Sequence, residues 1–116
     1  MSRTLRLACG LFLATNAACN QATPPTVDCA TATVPTYAQL TILPTCTSCH
    51  SSSVTGRARE DAPAGVDFDS YALAKASAAS GAAQVNSGFM PPAREAQPTD
   101  AQKTAFYAWA LCGTPQ

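Results

Sequence analysis

The 116-residue sequence allows one domain at most and carries a formal net charge of zero, with seven Lys+Arg against seven Asp+Glu. It has no basic run or stripe, which excludes the electrostatic footprint of a nucleic-acid binder. Apolar residues make up 47% of it, but alanine dominates that figure, so large core-forming side chains are scarce.

The N-terminal stretch MSRTLRLACGLFLATNAAC reads as an address rather than a fold. Arg3 and Arg6 form a positive end, Leu7 to Ala14 an apolar centre, and small residues run up to Cys19. That is the order of a secretory signal, and the apolar run is too short to span a bilayer. Ala17 and Ala18 before Cys19 resemble a bacterial lipoprotein box, departing from it at Asn16, where an aliphatic residue is usual. The expectation is a signal peptide over residues 1–18 and a lipidated Cys19. The mature protein would then be held at a membrane in the periplasm or cell envelope without spanning it; plain signal-peptidase cleavage nearby is the other option. Removal of residues 1–18 also removes Arg3 and Arg6, leaving five basic and seven acidic residues, a net charge of −2. Among the remaining 98 residues (116 less 18) stand four Leu, one Ile, five Val and three Phe. Those 13 fall below the roughly 20% at which a chain struggles to offset the entropy of folding. Something else should fill the core, and a large apolar cofactor is the natural candidate.

Residues 19–28 open a Pro/Thr/Ala-rich stretch without periodicity and read as a flexible tether, so the folded domain is expected over residues 29–116. TYAQLTIL (36–43) reads as a short helix opened by Pro35 and stopped by Pro44, with Tyr37 and Leu40 on one face. Residues 51–66 read as a surface loop. DFDSYALAKASAASG (67–81) reads as a second helix, capped by Asp69 or Ser70 and ended by Gly81, with Phe68, Tyr71 and Leu73 inward and a short turn at Gln84–Val85 beyond it. NSGFMPPAREAQP (86–98) is barred from helix by its glycine and prolines. The last helix is the clearest: Thr99 and Gln102 make a capping box, Phe106, Trp109 and Ala110 share a face, and Gly113 and Pro115 end it. No strand pattern appears, so the expected fold class is all-α with long loops.

The chemistry concentrates in CTSCH, residues 46–50, which holds the single histidine of the chain. Cys-x-x-Cys-His is the attachment signature of a c-type haem. Two thiols three residues apart on a turn can each add to one vinyl group of the porphyrin, and the next residue, His50, is carried under the ring as proximal iron ligand. Cys46 and Cys49 are therefore the expected covalent anchors. Three other readings stand beside this one: a redox dithiol, which normally sits in an α/β unit; a zinc site, whose second pair of ligands would have to be Cys29 and Cys112; and a disulfide between Cys46 and Cys49. The inventory of side chains bears on the sixth iron position. With one histidine, bis-histidine ligation within the chain is impossible. Met1 leaves with the signal, so Met90 is the remaining thioether, set in GFMPP away from any periodic core face. Met90 is the expected distal ligand.

With these residues in view, the chain resembles a small class I cytochrome c over residues 29–114: a helix leads into Cys-x-x-Cys-His, a middle helix follows, a methionine loop crosses, and an amphipathic helix closes the fold. The resemblance implies one covalent haem c packed edge-out between these helices, with Tyr37 and Leu40 facing Phe106 and Trp109. It implies a monomeric electron carrier, not an enzyme, that meets redox partner proteins at an exposed haem edge in weak contacts. In that fold the first and last helices meet, so Cys29 and Cys112 are expected to form a disulfide, as suits an oxidising compartment; two buried free thiols are the alternative. Arg57 or Arg59 is a candidate partner for a haem propionate, against a reading as solvated loop charges. Trp109 and Tyr71 are either ring-edge contacts or plain core aromatics. The competing function is a haem-based sensor or haem enzyme with a dissociable sixth ligand, which lacks a second histidine for acid–base work.

Overall fold

A computed structural model describes residues 21–116. The signal segment, the expected cleavage site and the lipidated Cys19 lie outside the described residues. Three α-helices, α1 (Leu43–Thr47), α2 (Tyr71–Asn86) and α3 (Asp100–Leu111), are joined by loops carrying 3-10 turns at Tyr37–Gln39 and Gly56–Arg59. No strand occurs among the described residues, and the fold class is all-α. None of these helices is long and apolar enough to cross a membrane.

The expected helix over 36–43 is not formed. Tyr37–Gln39 make only a 3-10 turn, and the α-helix begins at Leu43 with Pro44 in its first turn. The physical reason is that proline lacks an N–H and has φ preset near −65°. It interrupts a helix interior but suits a first turn, whose N–H groups have no intrahelical partner. Pro44 thus starts the helix that carries Cys46 instead of stopping the one before it.

In α2 the cap is Ser70, whose hydroxyl accepts from the Leu73 N–H at 3.4 Å. Gly81 does not end the helix, which runs on to Asn86. A Cβ built at Gly81 would stand 2.8 Å from Phe68 Cζ and 3.3 Å from Phe106 Cζ, so glycine is there to admit two aromatic rings. The buried side of α2 is built around Ala74, Ala78 and Ala82, spaced four apart on one face, with Ser77, Ala83 and Val85 buried beside them. These small side chains let α3 approach closely with its bulkier Phe106 and Trp109, both 0% exposed.

The start of α3 follows expectation: Thr99 Oγ1 accepts from the Gln102 N–H at 3.2 Å, and Gln102 Oε1 accepts from the Thr99 N–H at 2.9 Å. At its end Gly113 takes a left-handed φ of +103°, and the Thr114 N–H donates to Trp109 O at 3.0 Å. The tail then becomes a buckle. Pro115 O accepts from the Trp109 indole N–H at 2.8 Å and from the Tyr37 N–H at 2.9 Å, while the Tyr71 hydroxyl donates to Thr114 O at 2.9 Å. The Tyr37 ring lies 6.1 Å from that of Trp109, and Leu40 joins the same buried cluster as Phe106 and Trp109. Trp109 and Tyr71 are accordingly core aromatics with their polar tips satisfied.

Candidate functional site

Cys46 sits in the last turn of α1, and the chain keeps turning beyond it. The Cys49 N–H donates to Cys46 O at 3.3 Å and the His50 N–H to the same oxygen at 2.9 Å. This single turn brings Cys46, Cys49 and His50 to one wall of a cavity of about 410 Å³, within the roughly 300–1,000 Å³ typical of small-molecule and cofactor sites. Ile42, Phe68, Val85 and Phe106 contribute apolar lining. The loop after α2 adds Met90, Pro91 and Pro92 to the lining.

The imidazole of His50 is held in one orientation. Its Nδ1 lies 2.7 Å from Val66 O, and a carbonyl oxygen can only accept, so Nδ1–H donates there, and in the neutral ring the lone pair is on Nε2. The Phe68 ring stands edge-on at 5.9 Å, and the Phe68 N–H donates to His50 O at 2.8 Å, which fixes ring and backbone together. Support of this kind orients a histidine that ligates a metal. Nothing in the sequence pointed to Val66, because its contribution is a backbone carbonyl.

Met90 is half-buried. Its loop leaves α2 through Gly88, at a left-handed φ of +72°, and the N–H groups of Phe89 and Met90 both donate to Gln84 O, at 3.0 and 3.2 Å. The Gln97 side-chain amide ties the far side of the loop by donating to Pro92 O and Glu95 O, each at 3.0 Å. The Met90–Pro91 peptide is cis. Arg94 pairs with Glu60 and so links this loop to residues 59–63, which also line the cavity.

Arg59 is neither a free anion ligand nor a solvated loop charge. All five of its N–H groups are used, donating to Ala62 O, Ser51 O, Val54 O, Pro63 O and Asp67 Oδ1 at 2.7 to 3.2 Å. The Arg59–Asp67 pair is largely buried. This network clamps the 51–67 loop on which the Val66 carbonyl is carried, and it holds Glu60 and Asp61 in left-handed backbone at φ 49° and 68°. Asp69, the other cap candidate for α2, turns back to the loop instead. Its Oδ2 accepts from the Ser52 hydroxyl at 2.6 Å, the Ser52 N–H at 3.0 Å and the Ser51 hydroxyl at 3.2 Å. Arg57 is exposed.

Cys46 and Cys49 are free thiols, whereas Cys29 and Cys112 are joined as a disulfide, Cα–Cα 5.4 Å and 83 residues apart. The zinc reading required Cys29 and Cys112 as ligands, and that disulfide consumes them. Burial pushes the Cys46 thiol up to about 11. It is therefore held as the neutral thiol at neutral pH, opposite to the depressed value of an attacking redox dithiol. Two thiols, an imidazole with an open Nε2 and a thioether thus converge on one apolar cavity. That donor set suits an apolar group bonded at its edge and carrying a metal at its centre.

Compared with known proteins, the chain matches no family model, no curated protein and no solved structure.

Proposed function

We propose that this protein is an exported monohaem cytochrome c that passes one electron at a time between redox partner proteins at the cell envelope. The observation that carries the reading is the convergence of Cys46, Cys49, His50 and Met90 on the walls of one cavity with apolar lining. When bound, haem c supplies a one-electron Fe(III)/Fe(II) couple.

The chain's residues have separate tasks in this reading. Cys46 and Cys49 would hold the group covalently through their sulfurs. His50 would bind the iron through Nε2, with the Val66 carbonyl keeping its ring from rotating. Met90 would bind the iron through its sulfur, a choice that raises the reduction potential. Ile42, Phe68 and Phe106 keep water from the ring face, and the group in turn completes a core that the chain's few large side chains leave thin. With His50 and Met90 both holding the iron, no position would be left for a substrate, which suits a carrier rather than an enzyme; a monomer suffices for that task. A lipid on Cys19 anchors it.

Covalent attachment is tested by exporting the full chain in a host with c-haem maturation machinery and staining a denaturing gel for haem. The expected result is haem that stays with the polypeptide and is released when Cys46→Ala and Cys49→Ala are combined. A colourless protein with two reactive thiols would overturn the reading.

A further inference from the structure

The segment leading to the fold is docked onto it. The Thr23 N–H donates to Ser87 Oγ at 2.7 Å, and the Asn86 side-chain amide donates to Thr23 O at 3.0 Å. These two bonds fasten residue 23 to the C-terminal end of α2. Six residues further on, the Cys29–Cys112 disulfide fastens the same segment to the end of α3. The lead is therefore a strap with two fixed points.

Thr23 follows Cys19 by four positions, and four residues reach at most about 14 Å when fully extended. A lipid on Cys19 thus keeps the bilayer surface close to Asn86 and Ser87. Phe89 stands two residues beyond Ser87. Among the described residues it is the one large apolar side chain that is exposed, at 43%. An aromatic ring without a partner beside a membrane attachment point is suited to the headgroup boundary, where phenylalanine on the apolar side of a peripheral anchor buries its ring. The other end of the molecule is remote from this point. Ser52 is bonded to Asp69 just before the α2 cap, and α2 has 16 residues, so about 24 Å of helix separate the two ends.

We propose that the domain lies on the membrane with its Phe89 end against the lipid, so that the cavity wall carrying Met90 faces the bilayer. This rests on the reading of Cys19 as lipidated, and it deepens the proposed function by naming the class of partner: a redox protein seated in or on the same membrane, approached from the Met90 side.

The test uses the full chain, processed by its own host, purified and placed in vesicles of phosphatidylethanolamine and phosphatidylglycerol. p-Benzoylphenylalanine replaces Phe89 in one preparation and Ser53, in the loop tied through Ser52 to Asp69 before α2, in another. Both positions are exposed, and the change at Ser53 gives up only its hydroxyl contact with Ser51. After irradiation, mass spectrometry counts phospholipid adducts. The expected result is a several-fold excess at 89 over 53, lost when Asn86→Ala and Ser87→Ala release the strap. Equal yields, or none at 89, in protein whose mass shows a lipidated N-terminus would overturn the orientation alone. A mature protein without lipid would overturn the anchor and the orientation together. Neither outcome touches the haem reading, which is scored by colour.

Discussion

Arg59 has five N–H donors and each meets an acceptor, four of them loop carbonyls. Saturation of this kind is structural, and the loop it organises carries the carbonyl that fixes the His50 tautomer. Removal of the guanidinium strands four carbonyls and leaves Asp67 as a buried charge without its partner. Arg59→Ala is therefore expected to cost about 3–5 kcal/mol, as for a broken buried pair, and urea unfolding followed by circular dichroism measures it. Arg59→Lys should recover only a small part of that loss, since a compact ammonium cannot reproduce a planar five-donor fork. A variant within a few tenths of a kcal/mol of wild type would show that the loop holds itself. The sequence marked Arg59 as a charge near the motif but could not reveal this role, because its partners are backbone oxygens brought together only when the loop closes. The thiols and imidazole of 46–50 were legible for the opposite reason: three chemically distinctive side chains lie within five residues.

At the level of elements, α3 was readable from its own sequence, since its capping box and its Phe106/Trp109 face are local signals. In α2, the commonest meaning of a glycine near a helix terminus is a helix end, whereas here Gly81 serves a contact with Phe68 and Phe106 that lie 13 and 25 positions away. The alanines on the buried face of α2 gave no apolar signal for the same reason: their worth lies in what packs over them. Gly81→Ala separates the two meanings of the glycine. Helix propensity alone favours alanine by about 1 kcal/mol. The clash with two packed rings works against it by about 1–3 kcal/mol. Because both rings are buried and Phe68 also abuts His50, the clash is expected to win and the variant to melt below wild type. A higher melting temperature would mean that the rings step aside.

Over the whole molecule, the chain is closed by covalent and polar ties at its ends more than by a large apolar core. The Cys29–Cys112 disulfide closes a loop of over 80 residues, worth about 4 kcal/mol in the chain-entropy view. Cys29→Ser with Cys112→Ser is expected to lower stability by about 2–5 kcal/mol, read as a fall in the urea midpoint, and to free the strap from α3. Which two cysteines would pair was open to inference once an exported all-α fold was supposed. The docking of Thr23 on α2 was not, because a Pro/Thr/Ala-rich stretch has no periodicity to signal what it touches. The proposed function requires His50 and Met90 to hold the iron of a covalent haem between them. It is tested most directly by the visible spectrum of the exported protein, oxidised and then reduced, beside that of Met90→Ala. A sharp reduced α band is expected in the wild type, with a weak far-red band of methionine–Fe(III) ligation that Met90→Ala loses. A haem spectrum without that far-red band in the wild type would contradict Met90 as ligand and bring forward the sensor or enzyme reading, and no haem at all would contradict the account as a whole.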